Sequence, residues 1–291
     1  MKAAKFDYVL AESIDQVVDI LDRGDGDAIV IAGGQTLMPM LSMRLARPGT
    51  VVDINKIAEL SGIDASDDEL VIKTCTRQAA TLASADVQAR LPLLAKAIAY
   101  VGHQQTRNRG TVGGSLSHAD PASEIPLAAL TMDGWVSLRG AAGTRRVAMA
   151  DYFLGPMMTA RADNEVLLSV HFPLTGPDSR VGTGFHEVSE RRGDFAVVAA
   201  AALIRLDDGG NCSHAALAIG GADSVPLRMT AVEEALRGSR LDRDRIETVL
   251  DEIGGALTPG DDQHASAAYR RRVARVLAQR ALLEAVEEAQ S

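Results

Sequence analysis

The sequence predicts an α+β protein with a C-terminal unit of sheet and helices. Strands alternate with helices at the beginning of the chain, segments typical of an antiparallel sheet follow in the middle, and helical patterns dominate the end. The length of 291 residues exceeds what one hydrophobic core usually supports. We therefore expect more than one compact unit.

The first block, residues 1–56, predicts a small α/β unit. Ser13 is a suitable N-cap for a helix with one apolar face that ends at Gly24. The runs AIVIAGG and TVVDI are rich in β-branched residues and predict two strands. Between them, Thr36 is the expected cap of a second helix that continues to Ala46.

The second block, residues 57–176, predicts an antiparallel sheet with helices inserted into it. Four stretches have the composition of strands and alternate apolar with polar residues: ELVIKTCTR, WVSLRG, TRRVAMADYF and EVLLSVHFPL. TLASADVQARLPLLAKAIAYVG predicts a helix that breaks near Pro92. GPDSRVGTG is the expected linker to the last block, with a boundary near residue 176.

The third block, residues 177–291, predicts a sheet that carries helices. We expect strands or a buried helix in the two apolar runs FAVVAAAALIRL and CSHAALAIGG, because the spacing of apolar residues in such short runs does not distinguish a strand from a helix. The better-supported helices are RMTAVEEALRG, DRIETVLDEIGGAL and HASAAYRRRVARVLAQRALLEAVEEA.

Composition excludes several classes of function. A net charge of −9 and 3 % aromatic residues disfavour a nucleic-acid reader, which needs clustered cations or stacking side chains. The N-terminus lacks the apolar run of a signal peptide and no stretch is long enough to span a membrane, so we expect a cytoplasmic protein. Cys75 and Cys212 cannot ligate a cluster by themselves, and we expect two buried thiols. The six histidines form no metal-binding motif, so no metal site is expected.

Two glycine pairs, residues 33–34 and 113–114, are predicted at junctions that lead into helices. A backbone without Cβ atoms allows positive φ and close approach of a ligand, and a helix N-terminus favours an anion. A single such turn is usually structural, whereas two indicate a long ligand with a pyrophosphate in its middle. Neither pair matches GxGxxG or GxxxxGK[ST], which disfavours a dinucleotide-binding Rossmann domain and a P-loop.

Three stretches in this order resemble the FAD-binding medium subunit of molybdenum hydroxylases, the family of xanthine dehydrogenase and carbon monoxide dehydrogenase. They are AGGQTLMPMLSMRLARPGTVVDI, RNRGTVGGSLSHADPASEIP and ERRGDFAVVAAA. The resemblance covers essentially the full length. It implies a vanillyl-alcohol-oxidase-type (PCMH) FAD-binding fold in two units, residues 1–56 and 57–176, that enclose FAD. A C-terminal α+β domain, residues 177–291, would follow.

The resemblance also implies the residues that hold FAD. The first motif would cradle the pyrophosphate and flank it through Ala32, Gly33, Gly34, Gln35, Thr36 and Leu37. The second would contact the diphosphate, ribityl and flavin region through Thr111, Gly113, Gly114 and Ser115. His118 either meets the FAD or holds backbone carbonyls of its loop. Glu124, where several relatives have Asp, would bind ribose or adenine-side hydroxyls, and Leu167 or Leu168 would lie against a cofactor ring.

Two positions depart from the family pattern. Many relatives have a Lys just before the RRxGD segment, where this chain has His186 and Glu187. If that Lys places positive charge near the flavin, His186 substitutes for it only when protonated, which would alter the flavin potential. At the second position, Phe195 stands where some relatives have Tyr. Its ring can still cover the isoalloxazine face, but it supplies no hydroxyl.

The function implied by the resemblance is that of an FAD-carrying electron-transfer subunit. [2Fe–2S] clusters of a small partner subunit would deliver electrons, the molybdopterin cofactor would reside in a large partner subunit, and an external acceptor would take electrons from FAD. The expected assembly is a dimer of heterotrimers. No catalytic acid or base of this chain is needed. The alternatives are a stand-alone FAD oxidoreductase of the same fold and a non-catalytic assembly subunit.

Overall fold

The computed structural model describes residues 2–174 and 180–291. Part of the expected linker, including the boundary near residue 176, lies outside the described residues. Within the described ranges, no helix has the length and apolarity that crossing a bilayer requires.

The N-terminal sheet is parallel, with strand order β1–β3–β2. The elements of this part are β1 (Asp7–Leu10), α1 (Ile14–Arg23), β2 (Ala28–Ile31), α2 (Leu37–Ser42) and β3 (Thr50–Asp53). As expected, Ser13 caps α1 by accepting a hydrogen bond from the Gln16 N–H, and Gly24 ends the helix. The apolar face of α1 is buried through Val17 and Leu21.

Helix α2 differs from the sequence prediction at both ends. It ends at Ser42 rather than Ala46, and Arg44 adopts a left-handed φ of +60° that no helix can continue through. Thr36 occupies the N-cap position, but its backbone is already helical (φ −96°, ψ −46°) and its side chain makes no capping hydrogen bond. The hydroxyl of Thr36 is therefore not used by the helix.

The second sheet is antiparallel, with order β4–β5–β10–β6–β7. The strands of this part are β4 (Ile63–Ala65), β5 (Glu69–Lys73), β6 (Trp135–Gly140), β7 (Gly143–Ala148), β8 (Phe153–Gly155), β9 (Met158–Thr159) and β10 (Val166–Pro173). Its helices are α3 (Gln78–Ala83), α4 (Ala85–Arg90), α5 (Pro92–Tyr100), α6 (Gln104–Arg109), α7 (Val112–His118) and α8 (Glu124–Thr131). The expected break at Pro92 is present, and a second break occurs at Ser84, which caps α4.

The C-terminal sheet is antiparallel, with order β11–β12–β13–β14. Its strands β12 and β13 lie in the two apolar runs, FAVVAAAALIRL and CSHAALAIGG, for which the sequence allowed either strands or a buried helix. The strands are β11 (Arg180–Val188), β12 (Val198–Leu206), β13 (Cys212–Gly220) and β14 (Leu227–Arg228). The helices are α9 (Thr230–Leu236), α10 (Arg243–Val249), α11 (Ile253–Ala256) and α12 (Ala267–Gln290). Short 3₁₀ turns occupy Ala58–Leu60, Met149–Asp151 and Leu250–Glu252.

Helix α12 packs closely on β11 because two glycines of the strand face it. A Cβ atom at Gly184 would lie 2.1 Å from the Ala281 carbonyl oxygen, and one at Gly182 would lie 1.9 Å from that of Ala285. The contact of β11 with α5 is both polar and apolar: the Lys96 ammonium donates to the Thr183 carbonyl at 2.7 Å, and the rings of Tyr100 and Phe185 have their centroids 5.3 Å apart. The C-terminal unit is thereby held against the helices of the second unit.

Candidate cofactor-binding site

A cavity of about 860 Å³ opens between the N-terminal and second units, and the loop of residues 193–195 from the C-terminal unit completes its lining. This volume is within the range of small-molecule and cofactor sites. Most sequence-predicted site residues line it, and they are Ala32, Gly33, Gly34, Gln35, Thr36, Leu37, Thr111, Gly113, Gly114, Ser115, His118, Glu124, Leu167 and Phe195.

The loop between β2 and α2 offers backbone donors to this cavity. Gly34 has a φ of +70°, which turns the chain from the strand into the helix. Among the described residues, no acceptor bonds to the backbone N–H groups of Gln35, Thr36 and Leu37. Consecutive unpaired amides at a cavity wall form a concave site that favours an anion.

A polar brace holds the start of this loop in place. The Asn55 side chain donates to the Ala32 carbonyl at 2.7 Å and to Asp53 Oδ1 at 2.6 Å. The Asp53 carboxylate also accepts from the Asn55 backbone N–H at 2.8 Å, which forms an Asx turn. These backbone N–H and side-chain bonds hold the pKa of Asp53 below its ordinary value, against the effect of burial.

The second glycine pair is helical, which corrects the expectation of a turn. Thr111 is the N-cap of α7, and its hydroxyl accepts from the Gly114 N–H at 3.0 Å. Gly113 is needed for packing, because its Cβ would lie 1.8 Å from Thr74 Oγ1. At Gly114 the added Cβ would meet Thr111 Oγ1 at 2.8 Å and, apart from its chain neighbours and the backbone of α7, no other heavy atom within 4 Å among the described residues. Gly114, not Gly113, therefore leaves space beside α7.

The first-turn amides of α7 are already used inside the protein. The Val112 N–H donates to the Thr76 carbonyl at 3.1 Å, and the Gly113 N–H donates to the Thr74 carbonyl at 3.0 Å. What α7 presents to the cavity includes the side chains of Ser115 and Ser117. The two motifs thus differ chemically, since the first supplies backbone donors and the second supplies hydroxyls.

Two carboxyl groups, one buried and one half-buried, lie at the junction of the second and third units. Glu124, the first residue of α8, is 5 % exposed, and burial raises the pKa of its carboxyl to about 7, with a smaller contribution from Asp120. Burial raises the pKa of Glu187 on β11 to about 8, and the charge of Glu124 adds to this. Among the described residues, Glu187 Oε2 is buried without a hydrogen-bond partner.

Leu168 and His186 do not line the cavity within the described residues. Strand β10 has a register irregularity between Leu167 and Ser169, and Leu168 packs against the core of the N-terminal unit instead. His186 alternates with Gly184 along β11 and so faces α12, where its Nε2 lies 3.0 Å from Glu284 Oε2. By contrast, Phe195 lines the cavity and is 61 % exposed.

Sequence reasoning missed several lining residues. Gln78 is buried, and its Oε1 has no partner among the described residues. It is the first residue of α3, and no motif in the sequence identifies it. Arg47 and Arg161 add cationic side chains to the lining. Gly193 and Asp194 also line the cavity. Both lie in the ERRGDF stretch, which is the sequence signal that could have identified them.

The residues present fit an FAD. Unpaired loop amides and two arginines suit a pyrophosphate, serine hydroxyls and the Glu124 carboxyl suit sugar hydroxyls, and Leu167 and Phe195 suit an aromatic ring. The unpaired Gln78 oxygen is an acceptor that a ligand hydroxyl or N–H would satisfy. Within the described ranges, no group of three or more His, Cys, Asp or Glu residues is placed to hold a metal ion.

Comparison with known proteins agrees with this chemistry. Residues 4–175 match the family described as the FAD binding domain in molybdopterin dehydrogenase, and residues 183–285 match the CO dehydrogenase flavoprotein C-terminal domain. The chain therefore belongs to the flavoprotein subunits of the molybdopterin dehydrogenases, an oxidoreductase family whose members carry FAD. The resemblance inferred from the sequence, the fold class and the FAD cofactor are confirmed.

Individual relatives match along their full length. Subunit alpha of the 6-hydroxypseudooxynicotine dehydrogenase complex of Paenarthrobacter nicotinovorans is 36 % identical, over 99 % of this chain and 97 % of its own. A solved carbon monoxide dehydrogenase chain from Hydrogenophaga pseudoflava aligns with a TM-score of 0.95 at 32 % identity, over 99 % of both chains. A chain of quinoline 2-oxidoreductase from Pseudomonas putida 86 aligns with a TM-score of 0.93 at 33 % identity, over 100 % of both.

Proposed function

We propose that this chain is the electron-handling subunit of a molybdopterin-dependent dehydrogenase complex. Its FAD receives electrons from [2Fe–2S] clusters of a small partner subunit and passes them to an external acceptor. The observation that carries this proposal is the cavity of about 860 Å³ with unpaired loop amides, in a chain of an FAD-binding family. Among the described residues, Cys75 and Cys212 are buried free thiols, so the clusters are assigned to a partner.

Different residues of the cavity hold different parts of the cofactor. The amides of Gln35, Thr36 and Leu37 bind the pyrophosphate, with Ala32, Gly33 and Gly34 shaping the loop. Thr111, Ser115 and His118 would lie beside the ribityl chain, and Glu124 would bind sugar hydroxyls. Gly113 lets α7 pack against Thr74, and Gly114 leaves space for the cofactor beside α7. Leu167 and Phe195 cover the flavin ring. Bound FAD supplies the exchange between one-electron and two-electron carriers, and the protein positions it and sets its potential.

The proposed assembly contains this chain and two partner subunits. The partners are a large molybdopterin-binding subunit and a small [2Fe–2S] subunit, arranged as a dimer of heterotrimers in the cytoplasm. Relatives of this chain are named as subunits of dehydrogenase complexes, which supports the proposal. We assign FAD binding to residues 1–56 and 57–176 and the C-terminal domain to residues 177–291.

Purification of the native complex tests this function. Affinity purification of the tagged chain from its own cells, followed by flavin, iron and molybdenum analysis, should give all three together with two partner subunits. Flavin-dependent substrate oxidation by the isolated chain, without metals, would instead favour the stand-alone oxidoreductase. Partner subunits recovered with a chain that holds no flavin would favour the assembly subunit.

A further inference from the structure

We propose that Arg77, together with Asn55, is a positioning residue that fixes the spacing between the two cofactor-binding motifs. Arg77 lies between β5 and α3 and is not among the residues that line the cavity. The inference rests on the proposed function, because it assigns Arg77 a role in holding FAD without touching it.

The guanidinium spans two parts of the fold. Its Nη2 donates to Asn55 Oδ1 at 2.7 Å, and its Nη1 donates to the Arg109 carbonyl. Asn55 in turn donates to the Ala32 carbonyl at 2.7 Å. One continuous path of hydrogen bonds therefore runs from the β2–α2 loop to the residue that ends α6, just before the second motif.

The second end of this path is firmly attached to α7. The backbone of Arg77 forms a β-bridge with Thr111, and the Gln78 N–H donates to the Gly110 carbonyl at 2.9 Å. Arg77 thus moves with the second motif, whereas Asn55 belongs to the segment after β3. The fork of Arg77 links these two attachments by hydrogen bonds and so holds the distance between them.

A lysine can replace this fork only in part. Arginine holds two donors in one plane at fixed separation, while an ammonium is a point donor on a flexible stem. The loop amides bind an anion well only when they face the rest of the ligand at the right distance. Loss of the fork should therefore weaken FAD binding although no ligand contact is removed.

The experiment measures FAD binding to the full-length chain by fluorescence titration and the visible circular dichroism of bound FAD. Arg77→Ala should raise the Kd for FAD about tenfold to hundredfold, and Arg77→Lys should give an intermediate value. Asn55→Ala should have a similar effect, and the double variant should be no weaker than the worse single variant, because both act through one path. Arg109→Ala is the matched control, since it keeps the backbone carbonyl that Arg77 uses.

Hydrogen exchange of the FAD-free chain supplies a second readout. Arg77→Ala should speed exchange of the Met38 and Met40 amides, which donate to the Gly34 and Thr36 carbonyls of the loop, and Arg109→Ala should not. The proposed role of Arg77 would be overturned if Arg77→Ala had the Kd, dichroism and exchange rates of the wild type. It would also be overturned if Arg109→Ala weakened FAD binding as much as Arg77→Ala. A wild-type chain that binds no FAD would refute the proposed function, while the exchange data would still decide whether Arg77 holds the β2–α2 loop in place.

Discussion

Gly33 lies directly against the backbone of Arg109. A Cβ atom on Gly33 would be 2.4 Å from the Arg109 carbonyl oxygen and 2.9 Å from the Cα atom of Gly110. The loop of the first motif therefore touches, through backbone, the residues just before the second motif. The two glycines of the first pair serve different purposes, because Gly33 permits this contact and Gly34 adopts the positive φ that turns the chain.

Gly33→Ala should force the two motifs apart. The added methyl group meets backbone rather than a movable side chain, so we expect a loss of about 1 to 3 kcal/mol in the free energy of unfolding, together with weaker FAD binding. Urea denaturation of the FAD-free chain measures the first effect. Gly260→Ala is the control, since its Cβ would meet no heavy atom within 4 Å among the described residues. Equal stability of the two variants would contradict the close contact.

The second glycine pair should separate folding from binding. Gly113→Ala places a methyl group 2.6 Å from the Thr74 Cα atom, so it should destabilise the chain even without FAD. Gly114→Val fills space beside α7 and should chiefly reduce FAD retention. Flavin content after gel filtration and unfolding of the FAD-free chain measure the two effects. If Gly114→Val retained full flavin content, Gly114 would have no place in the site.

The half-buried carboxyl of Glu187 should make stability depend on pH. Its pKa is raised from 4.5 to about 8, so the folded chain keeps a proton that the unfolded chain has already released. The contribution of this group to stability is therefore fully present below pH 4.5 and is lost as the pH rises to about 8. Above that pH it stays constant.

Glu187→Gln should remove this loss. One pKa unit corresponds to about 1.4 kcal/mol, and partial exposure reduces the effect, so we expect the variant to gain about 1 to 2 kcal/mol over wild type at pH 8 and nothing at pH 4.5. Urea denaturation at the two pH values measures it. Glu287→Gln, at an exposed position of α12, is the control. A gain that does not change with pH would show that Glu187 is not held protonated.

The ends of helices could be predicted from the sequence where a single residue and its near neighbours determine them. The Ser13 cap, the Gly24 terminus and the break at Pro92 each depend on a few neighbouring residues, and the structure has all three. The end of α2 was not predictable, because the apolar repeat continues past Ser42 while Arg44 takes a left-handed conformation. That conformation is set by the surrounding fold and not by the local repeat.

The site was predictable as a set of motifs but not as a geometry. Both glycine pairs line the cavity, yet only packing shows that Gly113 faces Thr74. His186 was assigned by its position in the motif, whereas the alternation of β11 directs it toward α12. Gln78 carries no sequence signal at all, because its importance comes from burial beside the cavity.

The central claim is that this chain holds FAD in the cavity between its two motifs. Titration of the purified, flavin-free chain with FAD, followed by flavin absorbance and thermal unfolding, tests it most directly. We predict one FAD bound per chain and an unfolding temperature that rises with FAD concentration, since a ligand bound by the folded state stabilises it. A chain that binds no FAD and shows no shift in its unfolding temperature would contradict the account.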